Sequence, residues 1–369
     1  MVDNLESRRM LAASVVGEVL RVTGGTGADD VFIGIDDSGR IVVDQNGSVR
    51  SFGGVSRISV SGGAGDDHIE IDTAITLRTS LLGGAGYDTL IGGNGRDWLW
   101  GGDDRDLLKG NAGADFLRGE RGNDTLNGGS GSDQLLGYDG DDDLYGASGN
   151  DALSGGRGYD LFYGGIGKDI MYGGDQRDRM HGEAGDDTMY GQNGQDDLFG
   201  EDGNDTIDGG NDHDALYGGY GYDDLYGGSL GDIIECGDGD DLVYAGDGDD
   251  TIFGDEGKDT LYGEGDEDDV YGDDGDDDLY GGDDNDSLRG GSGDDILDGG
   301  FDDDTLLGDA GYDTHYGNSG DDIIDAVDDR SDSMYGEDGR DTLYGDYHQD
   351  IFDGGSGSDR YFDEDDFEF

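Results

Sequence analysis

Residues 83–325 are one nine-residue phrase repeated without a change of frame. Gly83-Gly84-Ala85-Gly86-Tyr87-Asp88-Thr89-Leu90-Ile91 is the first copy, and the 243 residues hold 27. Position six is Asp in every copy, from Asp88 to Asp322. Position eight is apolar in all but one, where His315 stands, and position one is Gly except at Cys236 and Ala245. A frame kept over so many cycles specifies a stack of like units in which each repeat covers its neighbours.

The phrase reads as a Gly-rich turn of six residues and a strand of three. Side chains in a strand alternate faces, so position eight points inward and positions seven and nine point outward. Gly at positions one and four is expected to supply backbone angles that a Cβ disfavours. Where position four is not Gly it is usually Asp (Asp104, Asp212, Asp266, Asp284, Asp302), which tolerates the left-handed region. Gln176 and Leu230 break that pattern, and locally altered turns are expected there. Two turns return the chain to its starting side, so two repeats make one flattened coil of eighteen residues with two parallel sheets facing each other. Residues eighteen apart become neighbours, which turns Tyr226, Tyr244, Tyr262 and Tyr280 into an outward aromatic ladder.

Charge makes this fold conditional. The chain has 93 acidic against 21 basic residues, a formal charge of −72, 80 Gly and no Pro. Such a composition normally describes disorder. One buried apolar side chain per repeat is a weak driving force against ordering nine residues, and the position-six carboxylates must stack on one another. A cation between them resolves the conflict. Ca2+ fits because it is hard and takes six to eight oxygens from carboxylates and carbonyls. The chain is therefore expected to be unfolded without metal and folded with it. The same charge excludes nucleic acid as a partner. Cys236 is the single cysteine, so no internal disulfide framework exists.

The phrase Gly-Gly-x-Gly-x-Asp-x-(apolar)-x resembles the RTX, or haemolysin-type, calcium-binding nonapeptide repeat from Gly83 to Phe362. The resemblance implies an all-β chain, a right-handed parallel β-roll (a β-solenoid with two repeats per coil), with Ca2+ between turns of adjacent coils. It implies ligands at Asp88, Asp97, Asp106, Asp115, Asp124, Asp133, Asp142, Asp151 and Asp160. The series continues through Asp169, Asp178, Asp187, Asp196, Asp205, Asp214, Asp223, Asp232 and Asp241. It ends with Asp250, Asp259, Asp268, Asp277, Asp286, Asp295, Asp304, Asp313 and Asp322. Outlying copies add Asp67 before the run and Asp341, Asp350 and Asp359 after it. Gln176, Leu230 and Cys236 are departures that weaken individual sites.

Outside the run the chain divides by composition. Residues 1–14 form a polar leader, in which Asn4–Ala13 resembles a short motif near the N-termini of some exported bacterial proteins. Residues 15–82 alternate short β-branched runs with Gly, Asp and Asn, which predicts strands and turns capping the roll; a small separate β domain is the alternative. The frame slips by one residue at Ala326, and residues 326–362 hold terminal repeats. The first of them, Val327–Tyr335, has lost its glycines and is expected to be a poor calcium site. Residues 363–369 are an acidic tail ending in hydrophobics.

Catalytic patterns are not found. The five histidines are scattered and no His-Glu-x-x-His occurs. Gly227-Gly228-Ser229-Leu230-Gly231 matches Gly-x-Ser-x-Gly only as positions one to five of a repeat, without the strand-to-helix context of a nucleophile elbow. About 80 residues precede the roll, too few for the protease or lipase domains usual in this family. Trp98 and Trp100 should point outward, covering the cap junction or, as the alternative, forming a local contact patch, and His315 should be a neutral core residue. No apolar run is long enough for a transmembrane helix. These readings converge on a secreted, extracellular or cell-surface calcium-binding protein without catalysis. The alternatives are a Ca2+-dependent module that binds polysaccharide or a cell surface, or an accessory domain of a secreted hydrolase.

Overall fold

The alternation at positions seven to nine governs the architecture. A computed structural model describes residues 12–328, 330–345 and 349–363. All regular structure among them is β-strand. The export-type motif as far as Leu11, His348 and the tail beyond Asp363 lie outside the described residues. The chain forms two compact units, one ending at Asp175 and one starting at Gln176. Each is a parallel β-roll.

Successive strands fall alternately in two sheets. In the first unit Leu107–Ala112 pairs with Thr125–Ser130, and Phe116–Arg121 pairs with Gln134–Asp139, each eighteen residues on. In the second unit Thr206–Asn211 pairs with Asp224–Ser229, and Ala215–Tyr220 with Ile233–Asp238. Position eight lines the interior: Leu99, Leu108, Leu117 and Leu126 in one unit and Leu198, Ile207, Leu216 and Leu225 in the other are fully buried. Burial of each such side chain stabilises the fold by about 1.5–3 kcal/mol.

The strands are longer than the sequence suggested. They span six residues, from position seven through position three of the next copy, and the turn keeps only positions four to six. The ladder continues past position nine, as Asn111 pairs with Gly129 and Ala112 with Ser130. The left-handed angles also fall elsewhere. They occur at positions two and four, as in Asn111 (φ 74°), Glu120 (φ 83°), Asp104 (φ 77°) and Gly113 (φ 147°), and not at position one. Position one is Gly for a different reason. Its inward face meets the position-six carboxylate of its own copy, and a methyl group on Gly128 would stand 2.5 Å from Asp133 Oδ2. At Gln176 and Leu230 the turn persists, with φ of 81° and 71°. The expected local change is thus a residue with a Cβ held in the left-handed region.

The N-terminal coils are wider. Ser14–Val16 forms an antiparallel hairpin with Val19–Thr23, which then pairs in parallel with Arg57–Ala64. Asp30–Ile35 pairs in parallel with His68–Ile71 and antiparallel with Ile41–Gln45, which carries Ser48–Phe52 on its other edge. Arg57–Ala64 pairs in turn with Arg78–Ala85, and Arg78–Ala85 with Asp97–Asp103. Trp98 and Trp100 meet edge to face at 6.0 Å on that last strand, with Arg78 over the Trp98 ring. At the other end the slipped frame is absorbed as a register of nineteen, Thr314 facing Ser333 and Ile323 facing Thr342.

Candidate metal centre

Each turn ends at position six, and the chain then enters the next strand through a main-chain bond such as Leu107 N to Asp88 O at 2.9 Å. That bond fixes where the position-six side chain starts, and the side chain folds inward. Asp67, the run from Asp88 to Asp322, and Asp341 all contribute buried carboxylates, which within each unit lie in two rows, one under each line of turns. The structure brings these sequence-predicted residues together. Asp350 and Asp359, in the last coil, are only half-buried.

The two oxygens of each carboxylate have different surroundings. Oδ1 accepts the amide of the Asp one coil earlier: Asp106 N donates to Asp124 Oδ1 and Asp124 N to Asp142 Oδ1, both at 2.7 Å. The second unit repeats the pattern, with Asp223 N to Asp241 Oδ1 at 2.7 Å. Oδ2 in these same residues is buried and has no hydrogen-bond partner. An unpartnered buried carboxylate oxygen is costly, and dozens in line are a demand for positive charge. Asp97 departs from the pattern: its Oδ2 accepts the Gly93 amide at 2.7 Å and its Oδ1 accepts the Thr79 amide and hydroxyl. Thr79 stands where the preceding coil of that row would hold a carboxylate.

Other oxygens converge on the same places. A methyl on Gly191 would meet Asp196 Oδ2 and the Gly209 carbonyl oxygen, each at 2.5 Å. Gly254 is flanked in the same way by Asp259 Oδ2 at 2.7 Å and Gly272 O at 2.5 Å. The donor set on the inner face of position one is therefore a carboxylate of one coil and a carbonyl of the next. Among the described residues no group of three or more His, Cys, Asp or Glu side chains is placed to hold a metal. A cation site here has to draw on main-chain oxygens, and a hard ion is the kind that does so.

Burial pushes the carboxyls up, to about 8 at Asp106, Asp142, Asp259 and Asp304 and to about 6 at Asp124 and Asp133. The amide bond to Oδ1 works against the shift, and neighbouring carboxylates add to it in the first four. Burial likewise pushes the His315 imidazole down to about 4, against a polar contact with the Ser333 backbone that favours the charged ring.

Two features escaped the sequence reading. Asp332 belongs to the degenerate copy Val327–Tyr335 yet occupies the row: it is buried, its Oδ1 accepts the Asp313 amide at 2.8 Å, and its Oδ2 is unpartnered. Counting from Val327 in the shifted frame finds it at position six. A second ladder runs along position five, where Asp or Asn side chains accept the amide of the next coil, as Asp141 does from Tyr159 at 3.0 Å and Asn204 from Tyr222 at 3.0 Å. The Asp and Asn enrichment at that position was its signal.

The remaining candidates stay apart. Gly227–Ser229 closes a strand of the roll, and Leu230–Gly231 is the turn after it. His68 pairs with Glu70, His181 with Glu201, and His213 Nδ1 lies 2.5 Å from Gly231 O. Among the described residues no helix is long and apolar enough to cross a membrane.

Comparison with known families agrees with this geometry. The model of the RTX calcium-binding nonapeptide repeat matches overlapping segments from residues 79–108 through 163–198 and 235–270 to 327–361. Comparison with curated proteins finds no match.

Proposed function

The chain belongs to the RTX calcium-binding nonapeptide repeat family, whose repeats bind Ca2+ at multiple sites, and from that membership we propose a secreted, non-catalytic scaffold that calcium folds. The observation that carries the reading is the double row, within each unit, of buried Oδ2 atoms without hydrogen-bond partners. Position-six carboxylates of Asp67, of the run Asp88–Asp322, and of Asp332 and Asp341 would hold the ions, together with position-one carbonyls of the adjacent coil. Asp97, with both oxygens already bonded, is the weakest of them, and Asp350 and Asp359 in the last coil are less enclosed. The bound ion supplies positive charge where the fold stacks negative charge. The chain supplies the rest: Oδ1 ties one coil to the next, and Gly at position one leaves room for Oδ2. Outside the cell calcium is plentiful, so a chain exported unfolded acquires its structure there.

The tyrosine ladder favours bracing over sugar docking. Tyr226, Tyr244, Tyr262 and Tyr280 stack on one another at 5.7, 4.9 and 4.6 Å, with their rings nearly parallel. The faces between them, including both faces of Tyr244 and Tyr262, are occupied by each other, and a sugar ring that stacks on an aromatic needs a free face. Circular dichroism of the purified chain in chelator, followed by Ca2+ to ~10 mM with Mg2+ as control, tests the proposal. A cooperative gain of β signal with Ca2+ alone is expected. A chain already folded in chelator would overturn it.

A further inference from the structure

Both rows of carboxylates start in the N-terminal coils, and they start without a bare oxygen. Asp29 is the first buried acid of one row. Its Oδ2 accepts the Gly25 amide at 2.8 Å and its Oδ1 accepts the Asn46 side-chain amide at 2.9 Å. The other row opens with Thr79, buried and uncharged, and then Asp97, whose oxygens accept from Gly93 and Thr79. Unpartnered Oδ2 atoms follow at Asp67 in the first row and at Asp115 in the second. Of the position-six carboxylates in residues 12–82 only Asp67 has one, and the strand after it, His68–Ile71, pairs directly with Thr89–Ile91 of the first repeat. Toward the C-terminus no such start exists, since Asp332 and Asp341 are buried with Oδ2 unpartnered.

The same N-terminal coils hold more apolar core. Val19–Thr23 buries Leu20 and Val22, Asp30–Ile35 buries Val31 and Ile33, and His68–Ile71 buries Ile69 and Ile71. A strand of the roll buries one apolar side chain, as Thr125–Ser130 buries Leu126. Ile41–Gln45 and Ser48–Phe52 are joined by Asn46-Gly47, with φ of 51° and 80°. Asn-Gly with both angles left-handed is the preferred two-residue hairpin turn, so this part forms through local contacts. With Asp30–Ile35 it makes three antiparallel strands, the size at which a sheet with an apolar face is stable by itself. Residues 12–82 carry ten acidic and five basic side chains, against 93 and 21 in the whole chain, so self-repulsion is weaker there.

We propose that the N-terminal coils, residues 14–82, fold without calcium and offer finished strand edges on which the calcium-dependent coils build, so that the roll assembles from its N-terminal side. The proposal rests on the calcium reading of the roll. A stacked array propagates from neighbour to neighbour once a nucleus exists. A nucleus that needs no ion allows the first calcium-binding coil to close against an edge already in place.

Hydrogen exchange of the full chain at pH ~8, in chelator and again in ~10 mM Ca2+, tests this peptide by peptide. In chelator the strand amides of residues 14–82 should exchange slowly and those from Leu107 onward at the rate of an open chain, and Ca2+ should protect both. Equally fast exchange of the two regions in chelator, with both protected in Ca2+, overturns the proposal and leaves the calcium reading standing. Protection of the whole chain in chelator sinks the calcium reading and this proposal with it. Rapid mixing with Ca2+ tests the order of assembly. Ile33→Ala, a deletion in the nucleus, should slow the gain of β signal about tenfold or more. Leu288→Ala, a comparable deletion far along the roll, should leave the rate within about twofold. Equal slowing by both variants, or by neither, overturns assembly from the N-terminal side.

Discussion

The main-chain amide of Asp88 donates to Oδ1 of Asp106, one coil on, at 2.8 Å. The same bond recurs from Asp106 to Asp124 and from Asp124 to Asp142. Each position-six Asp of this series therefore serves two ends at once. One oxygen is structural, spacing the coils through a backbone donor. The other is left bare, and its charge opposes the very stack that the first oxygen builds.

Asn can perform the first task and not the second, which separates them by experiment. In Asp142→Asn the amide oxygen can still accept from Asp124 N, now at 2.7 Å. The unpaired buried charge disappears. In chelator the variant should be more stable than the parent by about 1–3 kcal/mol, the cost of an unsatisfied buried polar group. In saturating Ca2+ it should be less stable, because one carboxylate is missing. Urea titrations with and without Ca2+ read both signs, and the same sign in both conditions would count against the division of labour.

Position one is guarded by the carboxylate and not by backbone angle, so Gly128→Ala probes the site directly. The new methyl would stand 2.5 Å from Asp133 Oδ2. Cys236 and Ala245 already carry a β-carbon at this position, both buried. The cost is accordingly a displaced carboxylate and not a lost fold. Calcium stoichiometry should fall by one ion. Gly265→Ala, where the nearest atom to the new methyl is 4.0 Å away, should leave it unchanged. Calcium binding by calorimetry compares the two.

Much of this is legible in the amino-acid sequence. The unbroken Asp at position six and the apolar residue at position eight gave the period, the two sheets and the buried rows, because they are fixed by alternation and by stacking. The strand boundaries were not legible. Gly-rich positions one to three look like a turn, yet their backbone groups pair with the next coil as Asn111 does with Gly129, and side-chain pattern carries no record of that. Asp332 was hidden by the lost glycines of its copy. That the buried His315 ring lies against the inner face of Gly308 depends on how a larger ring fills the interior, a fact of packing that no nine-residue period contains.

Leu230 offers a gain of stability. Its φ is 71° and its side chain is half exposed, so it bears the left-handed cost of about 1–2 kcal/mol with little burial in return. Leu230→Gly removes the strain and loses some of the benefit to the larger entropy of the unfolded glycine. A net gain of up to about 1 kcal/mol is expected in Ca2+, read as a higher urea midpoint. A lower midpoint would mean that the Leu230 side chain contributes contacts that outweigh its backbone.

Acid should substitute for calcium. The position-six carboxyls start from the ordinary aspartate value of 3.8 and are raised in the fold, to about 8 at Asp106 and Asp142 and about 6 at Asp124, chiefly by burial. A carboxyl whose folded pKa lies above its unfolded one favours the folded state most when protonated. Its contribution is complete below pH ~4 and is lost as pH rises through about 6 to 8. The calcium-stripped chain should therefore show its β signal near pH 4–5 and lose it by about pH 8. With Ca2+ the dependence inverts, because the ion requires the ionised form: affinity rises over the same window, and binding at pH ~6–7 releases protons. Circular dichroism against pH on the stripped chain, and calorimetry in buffers of different ionisation enthalpy, measure the two halves. A β signal independent of pH between 4 and 8 in the stripped chain would show that the Oδ2 rows carry no unpaired charge, and the electrostatic case for calcium would fall with it.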